Sequence, residues 1–215
     1  MLSMKDIFSD IYYRNAWRDE ESVSGPGSGV KRASAFRGEL AELLKQLQVT
    51  TLLDAGCGDY NWMKELNLGS MQYIGVDVVP ELITINQQKY GREIRSFLNL
   101  DLTRDELPKV DVILCRDCLV HFSFQDIFAA LRNFKQSHST YILTNTFTRF
   151  SENFDICTGE WRPINLQCHP FYFPNPLEKI DEKCRHSGGI YADKHLALWA
   201  LKDIPISTDC RFTAL

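Results

Sequence analysis

The sequence predicts an α/β protein on a mostly parallel seven-stranded sheet with helices on both faces. From residue 34 to 147, short apolar runs alternate with amphipathic helical patterns. That alternation implies βαβ crossovers and a sheet covered on both sides. Two further strand-like runs, near 177–184 and 196–201, read as an antiparallel pair that closes the sheet. Glycines and acids gather at the ends of the parallel strands, which marks one edge of the sheet as a site.

The elements follow in order. Leu40, Leu43, Leu44 and Leu47 recur at helical spacing and predict a helix over 34–48. Thr51-Leu-Leu-Asp54 is a buried strand that runs into glycines, and Tyr73-Ile-Gly-Val-Asp77 is a second. A helix starts at Pro80, whose ring suits the first helical turn. Strands are expected at 96–100, 110–115 and 141–147. Ser123-Phe-Gln-Asp126 resembles a capping box and opens a helix through about Lys135. A helix over 177–184 is the alternative to the first strand of the closing pair. Residues 1–33 form an N-terminal arm, and 148–176 form a long loop rich in proline, asparagine and aromatic rings. The whole chain, 1–215, reads as one domain.

Composition narrows the function. Twenty-four basic against 28 acidic residues give a formal charge of −4. This argues against a nucleic-acid substrate, which calls for a basic face. It fits a small, mildly polar acceptor better. No apolar stretch approaches the ~20 residues that cross a bilayer, so no membrane insertion is expected. Seven cysteines, an odd number set partly in apolar runs, point to reduced thiols and a cytoplasmic location. Cys115-Arg-Asp-Cys118 lacks a second pair, and His169 and His186 lack acids at ligand spacing, so no metal is expected. Oligomeric state is not readable.

Strand one delivers Asp54-Ala-Gly-Cys-Gly58, strand two Asp77, strand three Asp101 and strand four Arg116-Asp117. Gly56 and Gly58 let the backbone approach a ligand closely, because a Cβ would collide with it. Asp77 is placed to accept from both hydroxyls of a ribose. A dinucleotide fold would need a glycine at 61, where Asn61 stands. Asp59 in that turn would repel a diphosphate but could accept from the cationic amine of a methionine moiety. The turn therefore favours a methyl donor over a dinucleotide.

Leu52-Leu-Asp-Ala-Gly-Cys-Gly58 resembles the first motif, Asp/Glu-x-Gly-x-Gly, of the class I S-adenosylmethionine-dependent methyltransferases. The resemblance implies a Rossmann-like fold with S-adenosyl-L-methionine as cofactor and S-adenosyl-L-homocysteine as product. It implies that Asp54, Gly56 and Gly58 line the methionine end, that Asp77 holds the ribose, and that Asp101 and Leu102 contact the adenine. Trp62, Val78 and Arg116 adjoin these positions and are counted with them. Many members carry a third glycine where this chain has Tyr60. Trp17, the stretch 21–28, Gly58–Met63, Arg116–Phe122 and Thr158–Asn165 are similar to a narrower group of small bacterial methyltransferases associated with surface-polysaccharide genes. That likeness tilts the acceptor towards a saccharide hydroxyl. The Asn/Asp-Pro-Pro-Tyr/Phe tetrapeptide of adenine amino methyltransferases is absent after strand four.

A hydroxyl acceptor needs a general base near the end of strand four. Asp117 and His121 stand four residues apart, so one helical turn would set them on one face. Either His121 is the base with Asp117 orienting it, or Asp117 is the base directly. The structural alternative is a capping Asp117 and a His121 packed under the cofactor. The arm is expected to fold over the cofactor with Trp17 and Ser24 near it; the alternative is an ordinary helix followed by a surface loop. In the long loop, Trp161, Arg162 and Asn165 are candidate acceptor-binding residues, joined by Asn145 at the end of strand five. Structural stiffening by the loop's prolines is the competing reading. O-methylation leads. N-methylation of a metabolite or peptide, or a non-catalytic cofactor-binding subunit, are the alternatives.

Overall fold

The computed structural model describes residues 2–184 and 187–206, so His186 and Cys210 lie outside the described residues. An N-terminal helix α1 (Met4–Tyr13) precedes α2 (Val30–Gln46), β1 (Thr51–Ala55) and β2 (Gln72–Asp77). Then come α3 (Pro80–Tyr90), β3 (Arg95–Asn99), β4 (Val112–Cys115), α4 (Phe124–Gln136) and β5 (Tyr141–Phe147). The described elements end with β6 (Glu178–Asp181) and β7 (Lys194–Ala200), an antiparallel pair in which β6 is a strand rather than a helix.

All seven strands form one sheet in the order β3-β2-β1-β4-β5-β7-β6. The first five are parallel, and β7 runs antiparallel between β5 and β6. The order reverses at β1 and β4, so their carboxyl ends open a crevice suited to a ligand. Alternate residues of these strands feed opposite faces. Leu53 and Ile113 pack with Ile127, Leu131 and Phe134, while Leu52 and Val112 pack with Phe36, Leu40 and Leu44. Period-two alternation in a doubly covered strand produces this split.

Capping sets the helix starts. Ser3 and Asp6 make a reciprocal capping box at α1. At α4 the Ser123 hydroxyl accepts from the Asp126 amide, but the Ser123 amide donates instead to Thr158 Oγ1 at 2.9 Å. Half of the expected box is thus replaced by a tie to the long loop. Helix α2 begins four residues earlier than its leucine spacing predicts. The Val30 amide finds a distant acceptor, Glu21 Oε1, at 2.7 Å.

Candidate functional site

A cleft of about 780 Å³ opens at the carboxyl ends of β1, β2 and β4. Its floor includes Gly56 and Gly58, and Asp77, Val78, Asp101 and Leu102 form one wall. Arg116, Asp117 and His121 line it as well. Helix α1 contributes Met4, Phe8 and Tyr12, and the following segment contributes Trp17 and Ser24. The amino-terminal arm therefore covers the cleft and is not a surface appendage. Of the residues expected at a cofactor, Asp54, Asp59 and Trp62 do not line the cleft.

Each of those three has another partner. Asp54 is buried and accepts from the Tyr73 hydroxyl at 2.7 Å; burial pushes its carboxyl up to about 7. Asp59 faces the arm. Its Oδ1 accepts from the hydroxyls of Ser22 at 3.0 Å and Ser24 at 3.2 Å, and its amide donates to Ser24 Oγ at 2.9 Å. Trp62 is buried against the Arg116 guanidinium, whose carbon lies 5.1 Å from the ring centre.

The glycine turn has a reason that the sequence does not display. Gly56 and Gly58 adopt φ values of +82° and +54°, in the region that disfavours a side chain. A Cβ on Gly58 would meet Ser24 Oγ at 2.0 Å, and one on Gly56 would meet Cys118 Sγ at 2.9 Å. The missing side chains thus admit the arm and the β4 tip as well as exposing backbone to the cleft. Tyr60, at the position of the third glycine, keeps a glycine-like φ of +59°. Its ring turns into the core against Tyr73, Tyr90 and Phe97.

Asp77 sits at the polar end of a largely apolar wall. Its oxygens accept from the Gly58 and Val79 amides, both at 3.0 Å, and burial raises its pKa. Each oxygen keeps a lone pair, which suits a vicinal diol that donates twice. Val78, Val79, Leu82 and Leu102 offer apolar surface for a flat ring. Asp101 is less free. Its oxygens accept from Thr103 at 2.6 Å and from Arg104 at 2.8 Å, capping the turn that follows β3.

Asp117 does not orient His121. Its backbone is left-handed at φ +52°, and its amide donates to Asn145 Oδ1 at 2.5 Å. Lys194 Nζ approaches the carboxylate at 2.6 Å, and Arg116 approaches it at 3.3 Å. Burial opposes ionisation, but these two cations hold the carboxyl well below the usual range, which makes it a poor base. Glu182 completes the group, 2.8 Å from Arg116 and 3.1 Å from Lys194. Asn145 Nδ2 donates to Glu182 at 2.6 Å, and Arg116 also donates to the Gly27 carbonyl at 3.0 Å. Two cations and two anions therefore join β4, β5, β7, the end of β6 and the arm. Asn145, expected to face an acceptor, is consumed by this network.

His121 is held differently. Its Nδ1 lies 2.9 Å from the Glu160 carbonyl, which can only accept, so Nδ1 carries the proton and Nε2 keeps its lone pair. Burial lowers its pKa, so the ring is neutral at pH 7. The Trp17 ring lies 5.0 Å from it. Residues 119–121 form a single 3-10 turn, which replaces the regular helical turn that would have aligned 117 with 121.

The long loop is mostly structural near its start. Arg162 is fully buried and donates to the carbonyls of Val120, Phe122 and Phe154, which removes it from the acceptor-binding set. Asn165 is buried and bonded to Phe150, Asn153 and Gln167. Trp161 alone of these three stays exposed, packing against Tyr191 with ring centres 5.1 Å apart. Sequence reasoning missed Glu182. The arm combines both readings given for it: a helix, α1, whose apolar positions 4, 8, 11 and 12 keep a helical period, and a place over the cleft.

Known proteins share sequence and fold with this chain. The profile described as a methyltransferase domain matches residues 53–139, the stretch from β1 to the end of α4 that carries the glycine turn, Asp77, Asp101 and His121. Residues 53–139 are thus similar to a methyltransferase domain. The chain is 29% identical over 154 residues to the magnesium-protoporphyrin O-methyltransferase of Rhodobacter capsulatus, covering 69% of this chain and 66% of the relative. The match thus spans just under two thirds of that relative's length.

Two solved structures share the methyltransferase fold at low identity. Human N-acetylserotonin methyltransferase, in complex with SAM, superposes with a TM-score of 0.58 at 15% identity, over 91% of this chain and 59% of that one. The N-methyltransferase NodS from Bradyrhizobium japonicum WM9 gives 0.54 at 14%, over 77% and 96%. The narrower likeness to surface-polysaccharide methyltransferases has no counterpart among these relatives. No helix among the described residues is long and apolar enough to cross a membrane. Among the described residues no group of three or more His, Cys, Asp or Glu side chains could hold a metal ion.

Proposed function

We propose that this chain transfers a methyl group to a neutral hydroxyl of a small molecule, with His121 as the general base. S-adenosylmethionine supplies an electrophilic methyl on a sulfonium sulfur. Asp77 would accept from its ribose hydroxyls, with the wall from Val78 to Leu82 and Leu102 against its adenine. Gly56 and Gly58 would leave backbone open along its methionine end. The acceptor oxygen forms the new bond to the methyl carbon while the carbon–sulfur bond breaks and its electron pair stays on sulfur. The hydroxyl proton passes to His121 Nε2.

One observation carries this reading: a neutral imidazole, fixed through Nδ1, lines the same cleft as Asp77. The cations support the neutral acceptor. Arg116 lines the cleft, but it is paired with Glu182 and Asp117 and also bonded to Gly27. Lys194 is paired with Asp117 and Glu182. A carboxylate acceptor would therefore meet no free positive partner from the β4–β7 network. A carbohydrate hydroxyl falls within this class, although the relatives' names do not favour it. The Trp161–Tyr191 pair offers a face for a ring-bearing acceptor.

Calorimetry with S-adenosylhomocysteine and with NAD tests the cofactor; binding of the first and not the second is expected. Cell extracts incubated with methyl-labelled donor then reveal the acceptor. Label in an ether supports the proposal, label in an amine replaces it with N-methylation, and binding without turnover in any extract points to a non-catalytic subunit.

A further inference from the structure

We propose that Arg162, 41 residues downstream of His121, is the positioning residue that fixes the His121 imidazole; this rests on His121 being the base. The 3-10 turn 119–121 has no side-chain cap of its own. Its carbonyls are secured from the segment 159–162 instead. The Val120 carbonyl accepts from the Arg162 amide and from Nη1, both at 3.1 Å. The His121 carbonyl accepts from the Gly159 amide at 2.8 Å, and the Phe122 carbonyl accepts from Arg162 Nη2 at 2.7 Å. Three consecutive carbonyls around the histidine are thus held by one short segment.

The return contact runs through the same segment. Glu160, two residues before Arg162, presents the carbonyl that takes the His121 Nδ1 proton. Arg162 Nε also donates to Phe154 at 2.9 Å, tying the loop's earlier part into the clamp. A planar guanidinium presents several donors in a fixed fork, so it sets both the position and the tilt of the turn.

The cost of this arrangement argues for a purpose. Arg162 has none of its surface exposed, and no carboxylate among the described residues lies within ion-pair distance. Burial pulls its pKa down to about 10, and the Asp155 charge opposes that shift only in part. A buried cation held by backbone carbonyls and the face of the Phe124 ring, 5.3 Å from the guanidinium carbon, without a paired carboxylate, is expensive, and an apolar side chain would fill the space without that penalty. What an apolar residue could not do is bond Val120, Phe122 and Phe154 together.

The test uses the full chain labelled with [15N]histidine, with the His121 signal assigned by its loss in His121→Gln. In wild type the ring should be the Nδ1-protonated tautomer and should titrate below the ordinary histidine range. The charged groups that act on it are Asp117, Arg162 and Lys194. In Arg162→Lys, and more so in Arg162→Gln, the fixed tautomer should give way to a mixture while S-adenosylhomocysteine binding stays unchanged. Turnover of the acceptor should drop roughly 10- to 100-fold, as a misplaced catalytic group predicts, with donor KM unaltered. A folded Arg162 variant that keeps the wild-type His121 tautomer and titration overturns the proposal. So does loss of S-adenosylhomocysteine binding in both variants, which would make Arg162 a support of the whole fold. Full turnover in His121→Gln would remove the base reading and leave the tautomer result standing by itself.

Discussion

Lys194 Nζ lies 2.6 Å from Asp117 Oδ1, although 77 residues separate them in the chain. The first residue of β7 thereby neutralises the acid at the tip of β4, and that acid is withdrawn from proton transfer. Glu182 and Arg116 close the group, so the charges cancel within a space that water barely reaches. The arrangement is why the proposed base is His121 and not Asp117.

Lys194→Met should expose the value of this balance. Removing one cation strands Asp117 and Glu182 beside a single arginine, and breaking a buried ion group costs about 3–5 kcal/mol. Urea unfolding at pH 7 measures the loss. A change under half a kcal/mol would mean that the network is dispensable.

His121 and Asp117 are separable by pH. A base with a lowered pKa is competent above that value and lost as pH falls through it, so the acid limb of the rate profile should lie below the ordinary histidine pKa of about 6.5. His121→Gln should erase the limb and cut kcat by about 10²–10⁴-fold. Asp117→Asn should instead move the limb to still lower pH, because the Asp117 charge raises the His121 pKa. A limb that persists in His121→Gln assigns the base elsewhere.

Gly58→Ala should detach the arm. The new methyl group would overlap Ser24 Oγ, and φ of +54° adds roughly 1 kcal/mol of backbone strain. S-adenosylhomocysteine affinity should fall and limited proteolysis within residues 14–29 should accelerate. Adding Ser24→Gly should recover part of the affinity, since the overlap disappears and the strain remains. Equal affinities in the single and double variants would rule out the steric account.

Asp54 gives a stability signature of opposite sign to an ion-paired acid. Its folded pKa, about 7, lies above the unfolded value near 4, so the fold favours the protonated form. Its support is complete at low pH and declines as pH rises from about 4 to 7. Asp54→Asn keeps an acceptor for Tyr73 and removes the titration. At pH 8 the variant should be more stable, by an amount on the order of a few kcal/mol, with the gain shrinking to nothing near pH 4. Thermal melting across that range reads it directly.

The sheet was legible because its signals are local. An apolar run that ends in Asp54-Ala-Gly-Cys-Gly58, or a leucine repeat from 40 to 47, carries its own period and punctuation. The partners of the site were not, because they are set by tertiary pairing. Nothing near Glu182 or Lys194 announces that β6 and β7 will bring Glu182 against Arg116 and Lys194 against Asp117. Arg162 shows the same limit in reverse. A basic residue in an aromatic loop looks like a ligand contact, and only the fold reveals that three carbonyls claim it. The spacing of Asp117 and His121 implied a shared helical face, but Asp117 itself is left-handed at φ +52° and residues 119–121 form a 3-10 turn.

The arm is fastened to the glycine turn through polar contacts that water can replace at about 0.5–1.5 kcal/mol each. One of them is the Asp59 amide, whose acceptor among the described residues is the Ser24 hydroxyl of the arm. That single proton is consequently a built-in reporter. Its exchange with deuterium counts how often the roof lifts, without any label or acceptor, and a donor that seals the cleft should slow it.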